Sequence, residues 1–337
     1  MKKLNLPRPA PTVGVFSPSS PISATVPSRY ERGKEYLISR GLRIKDGALY
    51  GKRDHYRSGT ARERAEEFNA LLYDSEVDIL MASIGGNNTS SILPYVDYGY
   101  FASHPKVLIG YSDATALLLA VYAKTGFPVF YGPALAASFG EFPPFVDETF
   151  SYFRDAVLSP RPIPYLFPTP RFWTDEMIPW DKQDRAKSPR ENALICVREG
   201  QAEGRLIGGN LNTMEGFFGT KYMPEIREGD ILLIEDSLKD ASTIERSFSL
   251  LALAGVFDRV GGIVLGKHEQ FDDSGTGRKP YELLKEAVGD RNIPILADFD
   301  CCHTHPMLTL PIGCRVALRT GEKANSLTLT ESPFVSD

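Results

Sequence analysis

Short apolar runs alternate with helix-length amphipathic segments through the first half of the chain, and that alternation leaves few folds open. Residues 12–16 (TVGVF), 77–82 (VDILMA) and 106–110 (KVLIG) are β-rich and bounded by Pro, Ser or Gly, with shorter strands predicted at 42–44 and 128–131. Between them, Ser28 with Glu31 and Thr60 with Glu63 form capping-box patterns that open amphipathic helices, and residues 114–124 form a strongly apolar helix. Strands alternating with helices predict an open sheet of parallel strands with helices on both faces, and ligands in such sheets sit beyond the carboxyl ends of the strands.

The pattern then breaks. Five prolines fall between residues 159 and 170, which excludes regular helix or central strand there. The only two tryptophans, Trp173 and Trp180, follow at once, and the charged stretch 182–191 is predicted to be a solvated loop. β signals resume at 193–198, 204–207, 230–234 (DILLI), 262–266 (GIVLG), 294–297, 314–318 and 326–329, with helices at 243–254 and 281–288. This predicts an N-terminal domain over 1–158, a proline-rich linker with an aromatic loop over 159–190, and a smaller mixed domain over 191–337.

Composition narrows the function classes. With 337 residues, 42% hydrophobic and 24% charged, the chain can bury a sizeable core. A net charge of -5 supplies no basic surface for a nucleic-acid polymer or an anionic membrane. No apolar run approaches the ~20 residues that span a bilayer. Prolines 7, 9 and 11 interrupt any leader-like start, and four cysteines without a C-x-x-C pattern fit a reduced, cytoplasmic protein. A zinc site from Cys301, Cys302, His303 and His305 has none of the usual ligand spacings.

Several residues carry candidate chemistry. Gly110-Tyr111-Ser112-Asp113-Ala114 joins a buried strand to an apolar helix, much as a nucleophile elbow does, with Ala114 in place of the last glycine. Ser112 is there either a nucleophile or a helix cap. Gly85-Gly86 ends the preceding strand, where backbone can approach a ligand, and Asn87 and Asn88 either bind substrate or shape the turn. An amide in the Gly85-Gly86 turn and one at Asp113 would suit an oxyanion hole. Among five histidines, His303 and His305 lie in a loop before Pro306. Glu235, at the end of the apolar run ILLI, needs a partner if buried, with Asp236 competing for the same role. Lys267 ends a strand and is either directed at the site or a surface charge.

Gly110-Tyr111-Ser112-Asp113, Gly85-Gly86-Asn87-Asn88, Gly208-Gly209-Asn210, Leu233-Ile234-Glu235-Asp236 and His303-Thr304-His305-Pro306 through Gly313 together resemble the LD-carboxypeptidase family of serine peptidases, and within it the MccF-like, microcin-immunity branch. The resemblance covers roughly residues 8–332. It implies an α/β chain with a flavodoxin-like parallel-sheet sandwich, a swivelling C-terminal β/α domain and a site at their seam. It implies a triad of Ser112 as nucleophile, Glu235 as acid and His303 as base, with the amides of Gly86 and Asp113 as oxyanion donors. His303 is preferred to His305 because the family histidine stands three residues before the proline. Cys302 replaces the glycine usual before that histidine. Neither metal nor cofactor is implied, and a homodimer is.

In the immunity-type branch an aromatic loop stacks a purine, which points to Trp180 and Trp173, with Gly85, Asn87, Asn210 and Lys267 as further substrate contacts. The implied substrate is a small aminoacyl- or peptidyl-nucleotide carrying an acidic residue. The alternative within the family is a murein tetrapeptide carboxypeptidase releasing D-alanine. An unrelated alternative is a two-lobed ligand-binding protein, which would not need Ser112, Glu235 and His303 to converge.

Overall fold

The computed structural model describes residues 2–322 and 324–335. The first apolar runs form a six-stranded sheet in the order Leu310–Ile312, Val129–Tyr131, Val107–Gly110, Ile79–Ala82, Thr12–Phe16 and Arg43–Asp46. Five of these strands are parallel, and only the Leu310–Ile312 edge is antiparallel. The three central strands are buried along their whole length, as their near-continuous apolar sequence requires when helices cover both faces. Helices Pro27–Ser39, Ala61–Tyr73 and Thr115–Thr125 are the predicted connections.

The Thr60–Glu63 capping box forms in full. The one expected at Ser28 and Glu31 does not, because the helix already begins at Pro27 with no side-chain cap. Proline fixes the φ that a first helical turn needs, and this start places Ser28 inside the helix. Among the described residues four α-helices escaped the sequence reading: Ile22–Thr25, Tyr98–Ser103, Phe145–Phe153 and Leu211–Glu215.

The later β segments form an eight-stranded mixed sheet. Its centre is the parallel set Gly200–Asn210, Ile231–Glu235, Gly262–Gly266 and Ile295–Phe299, flanked by Arg315–Thr320 and Ser326–Leu329 on one side and Ile195–Arg198 on the other. The strand predicted at 204–207 is therefore longer at both ends. The linker carries two-residue strands at Tyr165–Leu166 and Phe172–Trp173, the latter paired with Arg190–Glu191.

Residues 182–191 form the mostly exposed loop that their charge predicted, with two exceptions. Gln183 and Lys187 are buried against Glu141 in the first lobe, and this carboxylate also receives Arg29. A shared buried counter-charge holds these polar groups inside. All four cysteines are free, and among the described residues no helix is long and apolar enough to cross a membrane.

The sheets interlock. The strand Leu310–Ile312 leaves the second half of the chain and pairs with Val129–Tyr131 of the first sheet. The N–H of Asn210 donates to Thr115 Oγ1 at 3.1 Å across the seam. A Cβ on Gly209 would lie 2.8 Å from Thr115 and 2.9 Å from Tyr131, so only glycine permits this approach.

Candidate active site

The strand Val107–Gly110 ends at Tyr111, and Ser112 follows with φ +59° at the start of a short 3₁₀ turn leading into helix Thr115–Thr125. A left-handed serine at this junction is an uncommon conformation, and it turns the side chain out of the strand-to-helix corner. No side-chain cap bond comes from Ser112, so the helix-cap reading loses its support. Neighbouring packing holds the corner: a Cβ on Gly110 would lie 3.0 Å from Ala82 and 3.1 Å from Ala114.

The preceding strand ends in the Gly85–Asn88 turn beside Ser112. A Cβ on Gly85 would lie 2.8 Å from both Cβ and Oγ of Ser112 and 3.0 Å from the Asp113 nitrogen. Glycine thus keeps open the space in front of the hydroxyl. Gly86 has φ +150°, and among the described residues neither its amide nor that of Asp113 donates a hydrogen bond to another protein group. The Asp113 carboxylate accepts the N–H groups of Asn88 and Thr89 and the Thr89 hydroxyl, each at 2.8 Å. Ser19, missed by the sequence reading, accepts the N–H groups of Asn87 and Asn88 at 3.0 and 3.1 Å. Arg64, fully buried, donates to the Asn88 side chain at 2.7 Å. Asn88 therefore shapes the turn, while Asn87 faces the cleft.

The second lobe supplies the remaining groups. Glu235 ends the buried strand Ile231–Glu235 and is fully inaccessible. His303 Nδ1 bonds its Oε2 at 2.8 Å, Asn210 Nδ2 donates to Oε1 at 3.0 Å, and the Tyr131 hydroxyl also donates to Oε1. Burial acts to raise the Glu235 pKa, but His303, Tyr131 and Asn210 outweigh it and hold the carboxyl below its usual value. Burial likewise acts to lower the His303 pKa. Glu235, aided by Glu269 and Asp236, outweighs it and raises the pKa. The Tyr111 ring packs edge-on against the imidazole at 4.9 Å.

Asp236 does not compete with Glu235 for the histidine. It accepts the Asn212 and Ser237 N–H groups, and burial followed by the charge of Glu235 pushes its pKa up to about 6. His305 is turned toward Glu141, 3.5 Å away, and burial lowers its pKa to about 3. Cys302 Sγ lies 3.1 Å from the Thr304 hydroxyl, and among the described residues no group of His, Cys, Asp or Glu is arranged to hold a metal ion.

Ser112 and His303 share the wall of one cleft of about 320 Å³, within the usual size of small-molecule sites. Among the described residues no hydrogen bond joins the Ser112 hydroxyl to the ring; such contacts commonly tighten only when substrate is bound. Gly85, Gly86, Asn87, Asn210 and Trp180 also line this cleft, with Lys187 and Lys239 as its cations.

Two residues expected at the site are elsewhere. Lys267 is buried and paired with Asp300 at 2.6 Å, so its charge is spent inside the second lobe. Trp173 donates its indole N–H to the Glu191 carbonyl at 3.1 Å and packs beside Arg190 in the small two-stranded sheet. Neither lines the cleft. Trp180 does, with the Arg29 guanidinium 4.4 Å from its ring centroid. Tyr131, which touches both lobes' functional groups, carried no sequence signal beyond a β-strand aromatic.

Comparison with known proteins places both halves of the chain in one family. Residues 13–132 match the LD-carboxypeptidase N-terminal domain and residues 203–318 the C-terminal domain. A putative carboxypeptidase of Vibrio cholerae is 54% identical over 90% of this chain and 90% of its own length. The microcin C7 self-immunity protein MccF of Escherichia coli is 49% identical over 94% of this chain and 93% of its own. A solved structure of MccF in complex with aspartyl sulfamoyl adenosine superposes with a TM-score of 0.96 at 46% identity, covering 99% of this chain and all of that one. A second MccF structure, with glutamyl sulfamoyl guanosine, matches equally well, with a TM-score of 0.96. The chain belongs to the LD-carboxypeptidase family of serine peptidases.

Proposed function

We propose that the protein hydrolyses the amide joining an acidic aminoacyl group to a nucleotide analogue, of the kind represented by aspartyl sulfamoyl adenosine, through an acyl-enzyme on Ser112. The observation that carries this reading is the Glu235-held imidazole of His303 in the same cleft as a left-handed, outward-turned Ser112. The ligands of the two MccF structures supply the substrate class.

In this reading Nδ1–H of His303 donates to Glu235, which leaves Nε2 free to take the Ser112 proton. The serine oxygen attacks the amide carbonyl, and the resulting oxyanion is met by the amides of Gly86 and Asp113. The C–N bond breaks as His303 returns the proton to the leaving nitrogen. Water, deprotonated by His303, then cleaves the ester and frees the amino acid and restores the serine. Lys239, partly exposed on the cleft wall, provides positive charge for an acidic aminoacyl side chain. The exposed face of Trp180 suits a purine, since stacking is tolerant of base identity. Asn87 and Asn210 provide polar contacts. The family resemblance also points to a homodimer working in the cytoplasm, which sedimentation and fractionation would test.

The experiment is cleavage of aspartyl sulfamoyl adenosine beside a murein tetrapeptide ending in D-alanine. The reading expects turnover of the first, lost by at least about a thousandfold in Ser112→Ala with the fold retained. Turnover of the tetrapeptide alone would assign the chain to the wall-recycling activity instead.

A further inference from the structure

Among the described residues Tyr131 is the one side chain that contacts both the nucleophile's backbone and the acid of the proposed triad, and the reaction scheme above gives it no role. It ends the strand Val129–Tyr131 in the first lobe and is completely buried. Its hydroxyl accepts the N–H of Ser112 at 3.3 Å and donates to Oε1 of Glu235. One oxygen thus grips the elbow of one lobe and the carboxylate of the other.

We propose that Tyr131 is a positioning residue that fixes the Ser112 elbow and the Glu235–His303 pair in one frame across the seam. The proposal rests on the triad reading above. Three features of the geometry support it. First, a tyrosine hydroxyl has one proton, and giving it to Glu235 Oε1 leaves the lone pairs toward Ser112 N–H, so both bonds are made without conflict. Second, the occupied Oε1, which also receives Asn210 Nδ2 at 3.0 Å, leaves Oε2 for His303 at 2.8 Å and so fixes which edge of the carboxylate meets the ring. Third, the Ser112 amide, being engaged by Tyr131, is removed as an oxyanion donor. That leaves Gly86 and Asp113, the two amides that point to no protein acceptor among the described residues.

The ring itself is held independently of its hydroxyl. It packs edge-on to Tyr111 at 6.5 Å and lies under Gly209, where a Cβ would come within 2.9 Å. Replacing Tyr131 by phenylalanine therefore removes one oxygen and leaves the packing.

The test is Tyr131→Phe in the full-length protein, with kcat, KM and the pH profile for aspartyl sulfamoyl adenosine measured beside the wild type. Misplacing the reacting groups by a fraction of an ångström lowers kcat by about 10- to 100-fold, while KM moves by less than about threefold, because the hydroxyl does not touch substrate. The acid limb of kcat/KM has a definite direction. The groups facing the Glu235–His303 pair are Tyr131 and Asn210 as donors, Tyr111 packed on the ring, Asp236 and Glu269 as acids, His268 as a neighbouring imidazole and the buried thiols of Cys301 and Cys302. Removing a donor from the anionic pair makes it hold its proton more tightly, so the limb moves to higher pH, by roughly half a unit or more. Tyr131→Leu, which loses hydroxyl and ring shape together, serves as the control for packing.

An unchanged kcat and an unmoved limb in Tyr131→Phe would overturn the proposal. So would a fall in kcat with no movement of the limb and a lowered melting temperature, since that pattern belongs to a packing role. Failure of the triad reading looks different: the wild type would not turn over this substrate, or Ser112→Ala would keep its activity.

Discussion

His303 sits under two opposed influences. Burial favours the neutral ring, whereas Glu235 at 2.8 Å favours the imidazolium, and the carboxylate prevails. A general base must start neutral, so activity should appear as pH rises through a pKa above the ordinary ~6.5 of histidine. A pH profile of kcat/KM is expected to show that acid limb. In Glu235→Gln the charge that raises the pKa is gone, so the limb should move to lower pH. The tautomer is also no longer fixed, and kcat should fall by up to about 10⁴-fold, the scale seen for the equivalent change in other triads. A limb that stays in place would contradict the assigned pairing. Residue type in context made Ser112 at a strand-to-helix corner, Glu235 closing an apolar run and His303 in a loop before Pro306 candidates beside Asp236 and His305, and only the family resemblance assigned them to one triad. Tyr131 and Ser19 were not candidates, because nothing in a sequence marks which buried hydroxyl finds a partner from a distant strand.

At the scale of elements, the site depends on two neighbouring turns. The Gly85–Asn88 turn lies against the Ser112 corner and is tied to it by the Asp113 carboxylate, which accepts two backbone N–H groups from residues 88 and 89. Gly85→Ala would place a methyl 2.8 Å from the Ser112 hydroxyl and 3.0 Å from the Asp113 amide. Its φ is not in the left-handed region, so the backbone can accept alanine. The expected outcome is a folded protein with a somewhat lowered melting temperature, because the methyl also meets the Ser112 Cβ at 2.8 Å, and with kcat lowered by about 100-fold or more, since either the hydroxyl or an oxyanion donor is blocked. Measured kcat and melting temperature check it, and full activity would remove these atoms from the reaction. The glycine pair announced this turn as a chain breaker. Its anchoring by Ser19, Arg64 and Asp113 depends on contacts between segments up to about seventy residues apart, which local pattern does not encode. The charged stretch 182–191 is the exposed loop its composition predicted, but the burial of Gln183 and Lys187 within it is set by the distant Glu141 and Arg29.

At the scale of the molecule, the alternation of strands and helices predicted the first sheet and the resumption of β signals the second. What the linear pattern did not reveal is how the two are stitched. Leu310–Ile312, just downstream of His303, is an edge strand of the first sheet, so the loop carrying the base is anchored in the lobe that carries the nucleophile. Gly209 and Asn210 close the seam from the other side against Thr115 and Tyr131. This interlock supports the central claim that a hydroxyl from one lobe is activated by an imidazole and carboxylate from the other. The most direct measurement is rapid acid quench of the protein during turnover of aspartyl sulfamoyl adenosine, followed by mass spectrometry of the peptide containing Ser112. The account predicts an aspartyl ester on Ser112 that is present in the wild type and absent from Ser112→Ala. Sustained turnover with no adduct, unchanged in that variant, would contradict it.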